Sequence, residues 1–257
     1  MTVLSFHGLS FKGRTVLITG ASRGIGFGIA QAFAAAGADL HIAAENDAIQ
    51  AAAADLGATG HQVDVTRNGE VAAMAGRIGA VDVLINNAGL ELMTPLDDAS
   101  AENETAFRRI IEINILETFL VTRAVIPVMR TGGAIINTAS VWGRVAEPLF
   151  SAYVASKHTV IGLTKTWAKE LGPNGIRVNA VCPGWVRTEA SMRSLGRMAA
   201  RADRPEAELL DEIVAGQALP GLMEPPDMAG PYLFLASGLA ANVTGQSFGV
   251  DRGEVPW

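Results

Sequence analysis

Short apolar runs alternate along the chain with longer, alanine-rich segments whose apolar residues recur at helical spacing. The runs predict seven strands, at 14–19, 39–43, 60–64, 81–85, 133–139, 175–181 and 246–250. The intervening segments predict helices at 24–36, 46–56, 67–78, 101–129, 151–171 and 226–236. Strands that alternate with helices form a parallel sheet with helices on both faces. The pattern therefore predicts an α/β fold with a doubly wound, seven-stranded parallel sheet.

The stretch 188–223 interrupts this alternation. It has helical spacing, and its arginines stand among glutamates and alanines. A solvated helical pair and a lid over a substrate site both fit this pattern. Its position over the carboxyl edge of the predicted sheet favours a lid at about 188–223. Because no linker-like segment and no internal repeat divides residues 1–257, we expect a single domain.

Composition and charge narrow the class of protein. The 257 residues carry a net charge of -6 with both signs interspersed, which gives no reason to expect a nucleic acid or an anionic membrane as a partner. No run approaches about 18 apolar residues, so no membrane span is expected. Cys182 is the single cysteine and cannot form an internal disulfide, and the first residues lack the pattern of a secretory signal. We therefore expect a cytoplasmic protein.

A glycine cluster follows the first predicted strand and leads into the first predicted helix. Its sequence is Thr19-Gly20-Ala-Ser-Arg-Gly24-Ile-Gly26. Glycines permit a tight turn and a close approach of the backbone to phosphate, and a helix N-terminus offers free N–H groups to an anion. By itself such a cluster also fits an ordinary turn. Its place between a strand and a helix of an alternating fold predicts a dinucleotide site.

Tyr153 and Lys157 stand four residues apart in the predicted helix 151–171, so their side chains lie on one face. Ser151 is the expected N-cap of this helix. An ammonium beside a phenol favours the phenolate, so we expect Lys157 to lower the pKa of Tyr153 and make it a proton donor or acceptor. Ser140 ends the preceding predicted strand, where it is placed to hold a substrate oxygen. Alone, the pair also fits a surface lysine beside a half-buried tyrosine.

Six motifs occur together and in order. They are Thr19-Gly20-x-x-x-Gly24-x-Gly26, Asn86-Asn87-Ala88-Gly89, Asn114, Ser140, Tyr153-x-x-x-Lys157 and Pro183-Gly184. From about Lys12 to Asp251, the chain resembles the short-chain dehydrogenase/reductase family. The resemblance implies a Rossmann-like fold, a nicotinamide cofactor, and hydride transfer between this cofactor and a secondary alcohol or ketone. It also implies a homotetramer built through the predicted helices 101–129 and 151–171.

The resemblance further implies a role for each matching residue. Tyr153 matches the acid/base, and Lys157 matches the residue that lowers its pKa and binds the nicotinamide ribose. Ser140 matches the residue that hydrogen-bonds the substrate oxygen, and Asn114 the one that holds a water in a proton relay. The implied cofactor contacts are Gly20, Ser22, Arg23, Gly24, Ile25, Gly26, Glu45, Asp64, Val65, Asn87, Ala88, Gly89, Tyr153, Lys157, Pro183, Gly184, Val186 and Thr188.

Two residues of opposite charge bear on the choice between NAD and NADP. Glu45, next to the end of the second predicted strand, favours NAD because a carboxylate there repels a 2′-phosphate. Arg23, inside the glycine loop, favours NADP. An arginine at that place can instead face solvent, whereas a carboxylate beside the phosphate is strongly unfavourable. We therefore expect NAD.

The substrate is predicted from sequence position alone. The candidate pocket residues are Glu91, Trp142, Arg144, Glu147, Trp185 and Met192. Aromatic walls beside carboxylates suit a small hydroxylated ligand, so we expect a polyol, a sugar derivative or a small secondary alcohol. A 3-oxoacyl-thioester reductase that uses NADPH stays open, supported by the arginines of 188–223, and so does a non-catalytic nucleotide sensor. The four histidines form no ligand-spaced cluster, so no metal is expected.

Overall fold

In the computed structural model, which describes residues 9–256, seven strands form one parallel sheet. The strands are β1 (Thr15–Thr19), β2 (Asp39–Ala44), β3 (Thr59–Gln62), β4 (Val81–Asn86), β5 (Met129–Thr138), β6 (Arg177–Pro183) and β7 (Ser247–Val250). Their spatial order is β3-β2-β1-β4-β5-β6-β7. The order changes direction between β1 and β4, and in such sheets ligands bind outside the carboxyl ends of the strands at this switch point. The predicted doubly wound sheet is confirmed.

Helices lie between the strands along the chain, as predicted. Within the described residues they are α1 (Gly24–Ala35), α2 (Ala48–Leu56), α3 (Asn68–Ile78), α4 (Ala101–Ile111), α5 (Thr118–Val125), α6 (Ser151–Leu171), α7 (Glu189–Ala202), α8 (Glu206–Ala215) and α9 (Ala229–Ala236). None of these helices has the length and apolar character that a membrane crossing requires. The amino-terminal segment on which the secretory-signal prediction rests lies outside the described residues.

The central strands are buried on both faces, which accounts for their continuous apolar sequences. All five residues of β1 are buried. One layer packs Ile18 of β1 with Phe33 of α1 and Tyr232 of α9, and another packs Leu17 of β1 with Trp167 of α6. Each large side chain buried in this way stabilises the fold by about 1.5–3 kcal/mol. These layers hold the strand ends from which the site loops project.

The predicted helix 101–129 is wrong in its details. A π-helical turn, Glu112–Glu117, joins α4 to α5, and a 3₁₀ turn, Ile126–Val128, ends the helical stretch. β5 then begins at Met129, whereas the sequence pattern placed this strand from 133. The first four residues of β5 are exposed or half-buried, so their polar sequence conceals the start of the strand. Single π-helical turns are rare and are frequent at functional sites.

Helix α6 has the predicted bounds, but Ser151 is its first helical residue and not its N-cap. Phe150 occupies the N-cap position and offers no side-chain acceptor. Thr94 supplies the acceptor, because its Oγ1 takes a hydrogen bond from the Ala152 N–H at 3.0 Å. The cap comes from a loop far away in sequence, so local pattern could not reveal it.

The stretch 188–223 contains α7 and α8, so its predicted helical character is confirmed. Thr188 caps α7 by accepting the Ser191 N–H, and the Ser191 hydroxyl accepts the Thr188 N–H in return. Leu195 of α7 packs in one apolar cluster with Trp142. The helical pair therefore rests on the loops at the carboxyl edge of the sheet.

Candidate active site

A cavity of about 470 Å³ opens at the carboxyl ends of the central strands. Three of the four predicted catalytic residues line it, namely Ser140, Tyr153 and Lys157. Every residue predicted to contact the cofactor lines it as well: Gly20, Ser22, Arg23, Gly24, Ile25, Gly26, Glu45, Asp64, Val65, Asn87, Ala88, Gly89, Tyr153, Lys157, Pro183, Gly184, Val186 and Thr188. The sheet thus brings residues from seven separate chain segments to one site.

The glycine loop has the shape that a phosphate site requires. Gly20 has a φ of +65°, a left-handed conformation that side chains disfavour. A Cβ on Gly26 would lie 2.3 Å from the Gly20 carbonyl oxygen, so the close packing of loop and helix needs glycine. Helix α1 starts here with no side-chain cap and no acidic residue in its first turn. Its free N–H groups and positive dipole end fit the diphosphate of a dinucleotide.

Thr19 and Asn87 tie the loop after β4 to the glycine loop. Thr19 Oγ1 accepts the N–H groups of Asn87 at 3.1 Å and of Ala88 at 3.0 Å. Asn87 Nδ2 donates to the carbonyl oxygens of Thr19 and Gly20, both at 3.1 Å. Two loops from neighbouring strands therefore form one wall whose shape the chain itself fixes.

Acidic residues and one arginine mark the far end of the cavity. Asp64 accepts the Thr66 hydroxyl at 2.6 Å, and this hydrogen bond lowers the pKa of Asp64. Glu45 lies 3.7 Å from Arg109, which also donates to Glu112 at 2.8 Å. The sequence analysis missed Arg109, because only the packing of α4 brings it beside the end of β2.

Helix α7 lines the cavity with Glu189, Ala190, Ser191 and Arg193, of which only Arg193, one of the arginines of 188–223, had been considered from the sequence. Arg23 of the glycine loop pairs with Glu189 at 3.5 Å, and both side chains are mostly exposed. This ion pair links the glycine loop to the first turn of α7. A local signal for Glu189 exists, since it directly follows the predicted contact Thr188.

Tyr153 and Ser140 meet inside the cavity. The Ser140 hydroxyl hydrogen-bonds the phenol, and Ser140 Oγ accepts the Trp142 N–H at 3.1 Å. Burial raises the pKa of Tyr153 far above its usual range, the charge of Glu91 raises it further, and the Ser140 hydrogen bond opposes these effects. The sequence predicts a pKa of Tyr153 below its usual value, whereas in this structure burial of the phenol dominates and the pKa lies above it.

Lys157 lies one helical turn from Tyr153, as predicted. Its Nζ is 5.5 Å from the centroid of the phenol ring and donates to the Thr138 carbonyl oxygen at 2.8 Å. Burial lowers the pKa of Lys157 to about 8, and the Glu117 carboxyl is the first of the groups that oppose this shift. The ammonium is therefore fixed beside the phenol in a position where burial favours its neutral form.

Asn114 lies behind the cavity wall and not on it. It belongs to the π-helical turn, and its Oδ1 accepts the Leu90 N–H at 2.7 Å. Its Nδ2 donates to the Leu90 carbonyl oxygen at 3.0 Å and to Ser156 Oγ at 2.9 Å. Asn114 thus connects the loop after β4 to α6, the helix that carries Tyr153 and Lys157.

Three of the six candidate pocket residues, Glu91, Trp142 and Trp185, line the cavity. Trp142 stands edge-on to both Tyr153 and Trp185, with ring centroids 5.9 and 6.0 Å away. The two indoles give the cavity an apolar wall next to the phenol. This end of the cavity suits the carbon skeleton of a small ligand.

Glu91 places an acid beside the phenol. Burial raises the pKa of Glu91, while a hydrogen bond from Ser194 and the charge of Arg193 lower it. The same carboxyl raises the pKa of Tyr153. A ligand bound between Glu91 and Tyr153 would therefore meet both a carboxyl and a phenol.

The other three candidates, Arg144, Glu147 and Met192, lie outside the cavity lining. Burial raises the pKa of Glu147, whose charge in turn acts on Glu254 near the end of the chain. Arg144 donates a hydrogen bond to the Ser247 carbonyl oxygen of β7. A 3₁₀ turn, Val141–Gly143, follows Ser140 directly, and the chain after this turn leads away from the cavity. Sequence position alone does not show this change of direction.

A family model described as enoyl-(acyl carrier protein) reductase matches residues 20–254. The fold is shared with a short-chain type dehydrogenase/reductase from Mycobacterium ulcerans, with a TM-score of 0.85 and 30% identity over 96% of this chain and 91% of that one. The chain belongs to the short-chain dehydrogenase/reductase family.

Among similar members of this family is a D-beta-hydroxybutyrate dehydrogenase of Cupriavidus necator, 36% identical over 95% of this chain and 98% of that protein. Another is the oxidoreductase UcpA of Salmonella typhimurium, 40% identical over 94% of each chain. Membership makes this chain an NAD(P)-dependent oxidoreductase that transfers a hydride between a nicotinamide and a secondary alcohol or ketone.

Proposed function

We propose that this short-chain dehydrogenase/reductase is an NAD-dependent dehydrogenase of a small neutral hydroxylated compound, such as a polyol, a sugar derivative or a small secondary alcohol. The observation that carries the proposal is the meeting of Ser140, Tyr153 and Lys157 in a cavity whose substrate wall holds Glu91 and two indoles. This arrangement offers a proton acceptor, an apolar wall and a carboxyl that accepts hydrogen bonds from hydroxyl groups.

In the direction of alcohol oxidation, the phenolate of Tyr153 takes the hydroxyl proton of the substrate. The Ser140 hydroxyl hydrogen-bonds the substrate oxygen while the C=O bond forms. A nicotinamide held by the residues of the glycine loop and by Lys157 would supply the acceptor for the hydride that leaves the carbinol carbon. Reduction of a ketone follows the same path in reverse, with the phenol of Tyr153 as the proton donor.

Lys157 and Asn114 complete the proposed proton path. The Lys157 ammonium favours the phenolate that oxidation requires, and it also binds the nicotinamide ribose. Asn114 has committed its side chain to Leu90 and Ser156, so its backbone carbonyl is the group that holds a relay water. That carbonyl accepts a hydrogen bond from the Thr118 hydroxyl at 2.9 Å, and a carbonyl oxygen has the capacity to accept a second one.

The preference for NAD rests on charges around the adenosine end. Glu45 lines the cavity there, and its carboxylate opposes a 2′-phosphate. Arg109 offsets part of that charge from 3.7 Å away. Arg23, the residue that favours NADP, pairs with Glu189 on the opposite wall, so its charge is already balanced. The net effect of these pairs favours a cofactor with a free 2′-hydroxyl.

A neutral substrate is favoured over a hydroxy acid because Glu91 faces the phenol. A substrate carboxylate placed beside Glu91 would bring two anions together in a partly buried site, which is unfavourable. The second candidate function is that of a 3-oxoacyl-thioester reductase that uses NADPH. It is supported by Arg193, which lines the cavity. A basic group at this wall would hold the phosphate of a carrier arm.

We also propose a lid over the cavity, a homotetramer and a cytoplasmic location. α7 and α8 act as a lid, since α7 lines the cavity and is linked to the glycine loop by the Arg23–Glu189 pair. A homotetramer forms through α4, α5 and α6, because Phe107, Leu116 and Phe119 are exposed by 41%, 45% and 39%. We place the protein in the cytoplasm with no nucleic acid or membrane partner, in keeping with its unpaired cysteine.

The decisive experiment follows absorbance of the reduced nicotinamide with NAD and NADP in separate reactions. The panel contains neutral polyols, sugars, secondary alcohols and 3-hydroxybutyrate, and in reverse simple ketones and a 3-oxoacyl thioester. Turnover of a neutral alcohol with NAD is the expected result. Turnover of 3-hydroxybutyrate alone, or of the thioester alone with NADPH, would overturn the proposed substrate class. Cofactor binding without any turnover, retained when Tyr153 is changed to phenylalanine, would favour a nucleotide sensor.

A further inference from the structure

Helix α6 carries Tyr153 in its first turn, and the N-cap residue of this helix does not hold that turn. Phe150 occupies the N-cap position and makes no side-chain hydrogen bond to the helix. The first N–H groups of a helix have no partner within the helix, so a first turn without a cap frays. Tyr153 therefore keeps a fixed position only if another segment holds the backbone of this turn. That segment is the loop between β4 and α4, through Thr94.

Thr94 holds the first turn of α6 through both its side chain and its backbone. Its Oγ1 accepts the N–H of Ala152, the residue directly before Tyr153, at 3.0 Å. Its own N–H donates to the Leu149 carbonyl oxygen at 2.7 Å, and its backbone forms a parallel bridge with Phe150. Thr94 is only 2% exposed, so these bonds are shielded from water. One residue thus contacts three of the four positions that precede Tyr153.

Leu149 shows that the chain enters α6 under strain. Its φ of +72° lies in the left-handed region, which residues with a Cβ rarely adopt. Such a conformation persists where the surrounding structure holds it. The hydrogen bond from the Thr94 N–H fixes the carbonyl of Leu149, and the fully buried ring of Phe150 packs 4.9 Å from that of Trp142. Without the bonds from Thr94, the entry to α6 can relax and take its first turn with it.

The loop that carries Thr94 is itself fixed from two sides. The side-chain amide of Asn103, on α4, donates to the Pro95 carbonyl oxygen at 2.9 Å. Arg201 of α7 donates to both carboxylate oxygens of Asp97, at 2.8 and 2.7 Å. Thr94 lies outside the cavity lining. It therefore belongs to a fixed loop that reaches the candidate active site through α6.

We infer that Thr94 is a positioning residue that holds Tyr153 beside Ser140 by capping the first turn of α6. Because Thr94 lies outside the cavity lining, it acts through the backbone of Leu149 and Ala152. The inference rests on the proposed function, in which Tyr153 moves the proton. Its physical basis is that proton transfer needs the phenol within hydrogen-bond distance of the substrate oxygen, so a small shift of the turn lowers the rate.

The first test measures kcat and KM for Thr94→Val, which keeps the size of the side chain and removes the acceptor. We expect kcat to fall by about tenfold to a hundredfold, because a misplacement of about 1 Å can cost about 10²-fold in rate. The KM for NAD should stay close to that of the wild type, since Thr94 does not line the cavity. Thr94→Ser keeps the hydroxyl and should restore most of kcat.

Thr164→Val is the matched control. Thr164 is another buried threonine of α6, and its hydroxyl donates to the Val160 carbonyl oxygen at 2.8 Å and accepts the side-chain amide of Asn137 at 2.9 Å. It lies about three helical turns from Tyr153. We expect Thr164→Val to lower the Tm and to leave kcat unchanged. The comparison separates the position of Tyr153 from the stability of α6.

A second test needs no turnover and uses the two tyrosines of the chain. Fluorotyrosine at both positions gives one ¹⁹F resonance for Tyr153 and one for Tyr232, and Tyr153→Phe assigns them. In Thr94→Val the Tyr153 resonance should shift or broaden, because its ring moves relative to Trp142, whose centroid is 5.9 Å away. The Tyr232 phenol is bonded to Thr138 at 2.8 Å, so its resonance is the internal reference and should not move. The same spectra serve Thr94→Ala if Thr94→Val does not fold.

The outcomes separate this inference from the proposed function. An unchanged kcat in Thr94→Val, or a Tyr153 resonance identical to that of the wild type, would overturn the role of Thr94 while the dehydrogenase assignment stands. Equal losses of kcat in Thr94→Val and Thr164→Val would overturn it too, because the effect would then be one of stability. A wild type that turns over no alcohol or ketone would remove the proposed function. The ¹⁹F spectra would still decide whether Thr94 fixes Tyr153.

Discussion

The nucleotide end of the cavity, formed by residues 20–26, Glu45 and Asp64, and the substrate end, formed by Glu91, Trp142 and Trp185, are built in different ways. The nucleotide end consists of backbone turns and a helix N-terminus, held by hydrogen bonds between adjacent loops. The substrate end consists of large side chains whose rings and charges act on one another. Short motifs encode backbone geometry well, whereas side-chain surroundings depend on the packing of remote segments.

The largest expected effect on turnover comes from changing Tyr153, which lies where the nucleotide end and the substrate end of the cavity meet. Tyr153→Phe removes the proton acceptor and should reduce kcat by about 10²–10⁴-fold, the range typical of general acid–base catalysis. Cofactor affinity, measured by the fluorescence of bound reduced cofactor, stays within a few-fold of the wild type. The control is Tyr232→Phe, which removes the other buried phenol and its 2.8 Å bond to Thr138. Equal losses in both variants would contradict the assignment of Tyr153.

The second effect should be confined to the nucleotide end. Gly26→Ala forces a Cβ to within 2.3 Å of the Gly20 carbonyl oxygen, so the glycine loop must shift away from α1. We expect NAD affinity to fall by at least about tenfold, at a cost in stability of about 1–3 kcal/mol. Calorimetric titration with NAD and thermal unfolding measure the two quantities.

Gly76→Ala in α3 is the matched control, because a Cβ there meets no atom within 4 Å. It should leave NAD affinity unchanged and add up to about 0.5–1 kcal/mol of stability. If Gly26→Ala binds NAD as tightly as this control does, the close packing of the glycine loop on α1 is not what shapes the nucleotide end.

The third effect concerns cofactor choice. Glu45→Gln removes the carboxylate at the nucleotide end and leaves Arg109 without that partner, so a 2′-phosphate gains a cation and loses a repelling charge. The ratio of kcat/KM for NAD to that for NADP should fall by about tenfold, which corresponds to about 1.4 kcal/mol. Glu104→Gln, an exposed acid of α4 that pairs with Arg108, should leave the ratio unchanged. An unchanged ratio in Glu45→Gln would remove Glu45 as the discriminator.

The contrast between the ends also marks the limits of sequence analysis. The doubly wound parallel sheet, the bounds of α6 and the turn of the glycine loop follow from periodicity and from motifs that impose backbone shape. Arg109 could not be predicted, because it reaches the cavity only through the packing of α4. The pKa of Tyr153 was misjudged for the same reason, since helical spacing reveals its lysine neighbour but not the burial that dominates.

The fourth effect tests the electrostatics of the substrate end. Glu91 raises the pKa of Tyr153, so Glu91→Gln should lower this pKa and move the acid limb of alcohol oxidation to lower pH. The ratio of turnover at pH 6 to turnover at pH 9 should rise by up to about tenfold for each pKa unit of displacement. NAD affinity should not change. An acid limb at the wild-type position would show that Glu91 does not act on the phenol.

The smallest expected effect is on the pH dependence of stability. It concerns a histidine pair on β2 and β3, the strands that lead to the nucleotide end of the cavity. His41 Nδ1 and His61 Nε2 are 3.0 Å apart, and burial lowers the pKa of His61 to about 4, with the charge of His41 as a further cause. Below pH 6.5 the unfolded chain binds a proton at His61 while the folded chain does not, so the free energy of unfolding falls progressively as the pH decreases from 6.5 toward 4.

His61→Gln removes that pH dependence. Its Tm relative to the wild type should therefore rise on acidification from pH 7 to pH 5, by roughly 2–4 °C if partial solvent exposure reduces the effect to about 1 kcal/mol. His158→Gln, at an exposed position of α6, should show a constant difference across this range. Since β2 and β3 carry Glu45 and Asp64 at or just beyond their ends, NAD affinity should weaken in acid more in the wild type than in His61→Gln. A parallel decline in both proteins would place the acid sensitivity at the substrate end instead.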